Sequence, residues 1–406
     1  MPSIAENLGL GTAFDLAPKR SAFCLSGSRR VVRVVHLTSV HAAMDIRIFY
    51  KECRSLARAG MQVTLLTPNG QDEVAEDVQI KTVPRARGRL SRVTRTVWSM
   101  YREAVRQDAD LYHFHDPELI PVGLLLRARG KRVIYDVHED VPKDILSKHY
   151  LPEWSRRMVS WAAREIENAT CKRFSALVVV TPAIKKRFQS LHNRTVMIRN
   201  FPIPEEIAVG AEAPWDSREM AVAYVGGITG LRGIREMVQA MALLPESLPA
   251  TLKIAGSSFY EDNLDDLPEL NGWNRTHHLG YLDRSGIANL FGTVRAGLVL
   301  FHPAPNHMEA MPMKLFEYMA AGIPIIASDF PAWRELVGGV GCGILVDPLR
   351  PQAIAEAITY VLRHPAEAEE MGCRGQMAVR ETYNWDSQAQ ELIRLYCELL
   401  ELSCAE

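Results

Sequence analysis

Two carboxylates eight positions apart, Glu309 and Glu317, bracket the stretch Glu309-Ala310-Met311-Pro312-Met313-Lys314-Leu315-Phe316-Glu317-Tyr318-Met319-Ala320-Ala321-Gly322-Ile323-Pro324. Pro312 suits the first turn of a helix and Gly322 its end. The spacing therefore predicts a helix over 313–321, with Glu309 on the loop before it and Glu317 inside it. Backbone N–H groups near Met311, Met313, Lys314 and Leu315 would then lie unpaired at a helix start, a natural seat for phosphate. Two carboxylates beside such a seat suit the hydroxyls of a sugar and a ribose. The plain alternative, a solvated helix charge and a loop charge, is favoured on spacing alone.

Other candidates share this ambiguity. Gly226-Gly227-Ile228-Thr229-Gly230-Leu231-Arg232-Gly233 follows a strand-like run and offers Arg232 as a phosphate donor or as a solvated first-turn residue. Lys314 reaches a phosphate or lies on the helix surface. His115 and Asp116 end a strand and could line a cleft, although Asp116 before Pro117 is equally good as a helix cap. Asp45 suits the cap of a helix beginning at Ile46, and Arg47 suits a local salt bridge or an anionic acceptor. Asp108-Ala109-Asp110 precedes its strand rather than following it, so it reads as surface or helix-end charge, not a metal site.

The elements that must position these residues alternate. Strand-like runs occur at 31–38, 62–67, 110–115, 132–137 and 176–181, then at 221–226, 251–256, 296–301 and 324–328. Most are near-continuous in Val, Ile and Leu, as parallel strands covered on both faces require. Helical patterns lie between them; one starts near Asp45, places Ile46, Phe49, Cys53 and Leu56 on one face, and stops at Gly60. The alternation predicts an α/β protein of two Rossmann-like, doubly wound parallel-sheet domains facing a cleft. The expected boundaries are 1–30 for a loose extension, 31–205 for the first domain, 216–380 for the second and 381–406 for a final helix. Pro202, Pro204, Gly210 and Pro214 mark the linker.

Composition bounds the rest. The 406 residues are 47% hydrophobic and 23% charged, which supplies two cores and excludes a mainly disordered chain. Lys and Arg number 47 against 48 Asp and Glu, so a globally basic nucleic-acid binder is not expected. The longest apolar stretch, Leu119 to Leu126, is far short of the about twenty residues a membrane helix needs. The first thirty residues lack a signal-peptide core. Seven cysteines, none spaced Cys-x-x-Cys, argue against a disulfide framework or a cysteine zinc site and for a reducing, cytoplasmic setting.

Taken together, several motifs resemble the retaining glycosyltransferase family 4, of glycosyltransferase-B fold. They are Glu-x7-Glu with its following Gly-x-Pro-x-Ile, Val35-His36-Leu37-Thr38-Ser39-Val40-His41, Tyr112-His113-Phe114-His115-Asp116-Pro117-Glu118, Tyr135-Asp136-Val137-His138-Glu139, Asp329-Phe330-Pro331 and Tyr383-Asn384-Trp385. The resemblance runs from about residue 31 to about 400. It implies that Glu317 binds the nucleotide ribose, that Glu309 faces the transferred sugar, and that His138 contacts that sugar rather than merely capping a strand. It also implies that the final helix crosses back to the first domain. The family's diphosphate binders lie in Gly-Arg-x4-Lys-Gly. Here Arg232 holds the Lys position and Gly227 the Arg position, a departure, while Gly226 keeps the turn. The implied reaction is metal-independent transfer of a hexosyl group from a nucleotide sugar, UDP-linked by frequency in the family, to a hydroxyl acceptor with retention. The implied acceptor is a saccharide or lipid-linked saccharide in surface polysaccharide assembly. A non-catalytic nucleotide-sugar-binding or scaffolding subunit is the alternative that Gly227 raises. A Rossmann oxidoreductase is not supported, because neither Gly9-Leu10-Gly11 nor the 339–343 glycines open a helix after a strand.

One further stretch, 81–106, carries eight basic residues and one acid, with Leu90, Val93, Val97, Trp98 and Tyr101 interleaved. It is either an ordinary sheet-packed helix or a peripheral contact for an anionic membrane surface.

Overall fold

The computed structural model describes residues 31–84, 92–146, 152–211, 214–257 and 266–403. Strand-forming runs become strands wherever both faces can be covered. In the first half these are β1 Arg33–Leu37, β2 Gln62–Thr67, β3 Glu73–Ala75, β4 Val78–Thr82, β5 Leu111–Phe114, β6 Arg132–Val137, β7 Ala176–Val179 and β8 Thr195–Met197. They form one sheet in the order β3-β4-β2-β1-β5-β6-β7-β8. All pairs are parallel except the β3–β4 hairpin. The second half contributes β9 Ala221–Val225, β10 Thr251–Ala255, β11 Thr276–Gly280, β12 Ala296–Val299, β13 Ile325–Ser328 and β14 Gly343–Val346. These form a parallel sheet in the order β11-β10-β9-β12-β13-β14.

Each order reverses once, between β1 and β5 in the first sheet and between β9 and β12 in the second. Ligands of open α/β sheets sit outside the carboxyl ends of strands at such points. The first sheet has an apolar layer on each side. Alternation along β1 sends Val34 to one layer and Val35 and Leu37 to the other. The second domain has one continuous core around Tyr224, Phe291, Tyr318 and Trp333.

The nine strands expected from sequence are present, β2 and β6 with the expected bounds and the others with edges trimmed by one or two residues. Five were not expected: β3, β4, β8, β11 and β14. Most of these are sheet-edge strands with exposed or half-buried residues, so the continuous apolar signature is missing. The helix expected after Asp45 begins as wide turns over Ile46–Cys53 and continues as α-helix Arg54–Arg58. The Asp45 carboxylate accepts from the Arg47 and Ile48 N–H groups, so its capping role holds. Asp108 is exposed, ends helix Val97–Gln107 and pairs with Lys131 at 2.6 Å. Among the described cysteines, Cys53, Cys171, Cys342 and Cys373 are free. Cys397 is disulfide-bonded, which departs from the expectation of reduced cysteines throughout.

The helix Trp385–Leu400 returns to the first domain, burying Trp385, Leu392, Ile393, Tyr396 and Leu399 among Val34, Phe49, Cys53 and Leu56. Trp385 Nε1 donates to Ser55 Oγ at 2.9 Å and its N–H to the Pro202 carbonyl at 2.8 Å. Trp385→Ala should cost about 3–5 kcal/mol, as large core truncations do. Thermal melts and exchange protection of 385–400 amides would show it; an unchanged melt would mean the helix is not held by this residue.

Candidate active site

The site is assembled at the reversal of the second sheet and the facing edge of the first. Helix Met313–Ala320 starts at Pro312, which supplies no side-chain cap. Its first N–H groups therefore open toward the space between the domains. That space is a cavity of about 960 Å³ lined by His41, Asp45, His138, Glu139, Arg199 and Asn200 from the first half and by residues 308–313 from the second. Met311 and Met313 line it directly. Leu315 does not: its side chain is in the core and its N–H closes the first turn on the Pro312 carbonyl at 3.1 Å.

Lys314 is buried and its ammonium has no hydrogen-bond partner. It lies 4.1 Å from the Tyr224 ring centroid and 5.2 Å from that of Phe301. A Cβ built on Gly226, whose φ is +134°, would stand 2.7 Å from Lys314 Nζ. The amine is thus aimed at the turn that follows β9, and no side chain fits between them. Arg232 reaches the same turn, donating from Nη1 to the Gly227 carbonyl at 3.3 Å. Tyr224 Oη donates to that carbonyl at 2.6 Å. Burial, with the Arg232 charge adding to it, pushes the Lys314 pKa well below the usual lysine range. Two cations, one of them unpaired and desolvated, converge where phosphate was expected, although position 227 is glycine.

Glu317 is half-buried on the same helix. Burial pushes its carboxyl up, opposed by Lys51, Arg284 and Lys314. Glu309 is exposed at the cavity mouth and pairs with Lys143 of the opposite domain at 2.5 Å. His138 lines the cavity, and its Nε2 lies 2.9 Å from His115 Nδ1. Burial lowers the His138 pKa to about 3, so the ring is neutral at physiological pH.

Two acceptor-side expectations are corrected. Of the two roles open to Arg47, the salt bridge is present: it is buried at the cavity wall and pairs with Asp136, with Nη2 to Oδ2 at 3.0 Å. His115 is buried beneath His138 rather than exposed to the cleft. Asp116 is buried too and neither lines the cavity nor caps a helix. It accepts from Thr38 Oγ1 at 2.8 Å and from the Ser39 N–H at 2.7 Å, tying two strand ends together. Asp45 and Arg47 line the cavity, Asp45 while also capping its helix.

Two consecutive segments match known family descriptions: residues 47–201 match "Glycosyltransferase Family 4" and residues 211–377 match "Glycosyl transferases group 1". The chain belongs to this glycosyltransferase family. An uncharacterized glycosyltransferase of Methanocaldococcus jannaschii is 25% identical over 66% of this chain and 66% of its own length. The O-antigen chain mannosyltransferase B of Escherichia coli is 26% identical over 43% of this chain and 44% of its own. The chain therefore spans two thirds or less of these curated relatives. Among solved structures, a sucrose-phosphate synthase from Thermosynechococcus elongatus superposes with a TM-score of 0.71 at 21% identity, covering 91% of this chain and 99% of its own. HepE of Anabaena, solved with UDP and glucose, gives 0.66 at 16%, covering 90% and 100%. The fold of this glycosyltransferase is glycosyltransferase-B.

Sequence reasoning missed Lys51, Lys143 and His41. Lys51 is fully buried, donates to Asn200 Oδ1 at 2.6 Å and approaches Met313 Sδ at 3.2 Å. His41 sits between Asp45 and Asp116, and the Asp45 hydrogen bond raises its pKa. No local pattern marks Lys51 and Lys143, because their partners are distant in sequence, and His41 pairs both with nearby Asp45 and with distant Asp116.

The Lys314 pKa is lowered in the folded chain, so the unfolded chain binds more protons. Stability of the unliganded protein should therefore rise with pH up to the ordinary lysine range. Binding of a nucleoside diphosphate should take up a proton in alkaline buffer below the ordinary lysine range. Calorimetry in buffers of different ionisation enthalpy measures this, and Lys314→Met should abolish the uptake and weaken binding at least tenfold. Uptake that survives Lys314→Met would remove Lys314 from the phosphate seat.

Proposed function

We propose that this glycosyltransferase moves a hexosyl group from a nucleotide-diphosphate sugar to a hydroxyl acceptor with retention at the anomeric carbon. The observation that carries the reading is the unpartnered, desolvated Lys314 ammonium beside the Gly226 turn and below an open helix start. An unpaired buried cation is costly, and an entering diphosphate offsets that cost. As the bond from the anomeric carbon to the diphosphate oxygen breaks, negative charge grows on that oxygen next to Arg232, Lys314 and the helix N–H groups. The acceptor oxygen bonds to the anomeric carbon on the same face and gives its proton to the departing phosphate. Glu317 holds the ribose hydroxyls, Glu309 and the neutral His138 the sugar hydroxyls. In this reading the seat needs no metal. The same orphaned cation argues for an occupied donor site over a scaffold.

UDP is the proposed carrier, supported by the UDP-bound HepE structure. A lipid-linked acceptor at a membrane face is supported by WaaG, a structural neighbour described as acting in lipopolysaccharide biosynthesis. No described helix is long and apolar enough to cross a membrane. Of the basic stretch, 85–91 lies outside the described residues; helix Val97–Gln107 packs Met100 and Ala104 inward and leaves Trp98 57% exposed. Helix Glu153–Cys171 adds Trp154 at 70% and Trp161 at 67%, one face apart by seven residues, among exposed Arg157 and Arg164.

Melting curves against UDP, GDP, ADP and dTDP, with and without Mg²⁺, test the donor; UDP alone should give the largest shift without metal. No shift with any diphosphate would defeat the reading. Glu309→Gln should lower kcat by about 10²- to 10³-fold with folding intact, and the product's anomeric proton coupling should match the donor's. A product of inverted configuration would overturn retention. Trp154→Glu with Trp161→Glu should release the protein from anionic vesicles while transfer to a water-soluble acceptor persists; unchanged vesicle binding would rule this face out.

A further inference from the structure

The strands at the reversal of the first sheet change character along their length. On the face covered by the C-terminal helix, β1, β5 and β6 begin with Val34, Leu111 and Ile134 and end with His36, His113 and Asp136. His36 and His113 are register partners, and His115 continues beyond β5. Glu52 enters from helix Ile46–Cys53. The side chains of His36, His113, His115 and Glu52 are all 0% exposed. Three imidazoles and a carboxylate in a dry layer are a large desolvation cost unless something satisfies them.

Hydrogen bonds do so for the imidazoles in part, through His36–His115, Tyr396 and His138, but not for His113 Nε2 or for the carboxylate. Both Glu52 carboxylate oxygens lack a hydrogen-bond partner. Glu52 Oε2 instead stands 3.8 Å from His36 Nδ1, 3.8 Å from His113 Nδ1 and 3.9 Å from His115 Nε2. These lengths are too great for hydrogen bonds. His36 Nδ1 and His115 Nε2 are 2.9 Å apart. Four ligand atoms bound to one tetrahedral ion at about 2.0–2.1 Å are separated by roughly 3.3 Å, and the separations here fall on both sides of that value.

The surroundings are those of ligands held in place. Tyr396 Oη, on the C-terminal helix, lies 3.0 Å from His36 Nε2 and 2.7 Å from His113 Nδ1. Asp136 Oδ2 lies 3.4 Å from His115 Nδ1, the nitrogen turned away from Glu52, and 3.8 Å from His113 Nε2. Carboxylate and hydroxyl partners on the outer imidazole nitrogens fix tautomer and ring orientation in metal sites. His36 and His115 have them, whereas at His113 the Tyr396 hydroxyl sits on Nδ1, the nitrogen nearer Glu52, and a bound ion displaces it. Arg47 Nε lies 3.1 Å from Glu52 Oε1 and the guanidinium pairs with Asp136. Two carboxylates against one guanidinium leave one negative charge for a cation, and Oε2 free to meet it.

We propose that His36, Glu52, His113 and His115 bind one divalent transition-metal ion, zinc by the preference of three imidazoles and a carboxylate for tetrahedral coordination. All four positions are filled by the chain, so the ion is structural: it joins β1, β5 and helix Ile46–Cys53 beneath the C-terminal helix. The site is separate from the donor seat and independent of the reading given to it.

The full-length chain, expressed in minimal medium supplemented with zinc or with cobalt and desalted over chelating resin, tests this. Elemental analysis should find about one zinc per chain. The cobalt form should show the intense visible bands of a tetrahedral site. Glu52→Gln and His113→Asn should lose the ion, whereas Tyr396→Phe and Glu309→Gln should retain it. If the ligand variants fail to fold, the wild-type cobalt spectrum decides alone. Wild-type protein with no ion above buffer, metal content unaffected by the ligand substitutions in folded variants, or the weak bands of octahedral cobalt would each overturn the proposal.

Discussion

Arg47 binds Asp136 through Nε and Nη2, at 3.2 and 3.0 Å, and donates from Nη1 to the Ile198 carbonyl at 3.2 Å, all beneath the protein surface. Removing one partner of such a buried pair costs about 3–5 kcal/mol, because the other charge is stranded. What the pair fixes is position. Asp136 belongs to a central strand and Ile198 to the chain that leads out of the first domain. Locking Arg47 to both sets the height of the helix that carries Lys51. Lys51 then holds Asn200 and meets Met313 at the start of the second domain's helix. The donor helix is thus placed against the first domain by a continuous polar path, while apolar layers on either side exclude water from it.

The donor seat handles charge in a different way. Arg47 is paired in the free protein, and Lys314 is not. Its ammonium rests on the faces of Tyr224 and Phe301, which lessens the cost of desolvation without cancelling it. The glycine at 226 is what allows the approach, since its positive φ and missing side chain leave room for Nζ. This geometry also accounts for the departure at 227. With Lys314 brought to the turn and Arg232 bonded to the Gly227 carbonyl, the cationic character of the seat does not depend on a third basic side chain.

The fold was legible because its central strands are buried on both faces and read as uninterrupted apolar runs. Edge strands such as β11, Thr276–Gly280, expose three residues in sequence and gave no such signal. In the site, Glu309, Glu317, Arg232 and Lys314 were legible because helix-start chemistry and the motifs confine them to short stretches. The misread residues, His115 and Asp116, are polar residues at a strand end. Sequence places such residues at the rim but does not say whether they turn outward or inward. Three of the buried imidazoles escaped notice as a group for a related reason: they come from different strands and meet a glutamate on a helix, so no ligand spacing records them.

The two carboxylates of the Glu-x7-Glu pair end in different surroundings, and this difference sets how substrate must enter. Glu317 is half-buried in the field of Lys51, Arg284 and Lys314, so cations surround it before any ligand arrives. Glu309 is exposed and bound to Lys143 across the cavity mouth. A sugar that is to meet Glu309 must displace Lys143, at small cost because exposed ion pairs are worth only about 0–1 kcal/mol. Under the proposed function the nucleotide end of the cleft is thus charged in advance and the sugar end opens by release of one exposed ion pair. Released Lys143 lies on the first-domain side of the mouth, where an incoming acceptor would pass.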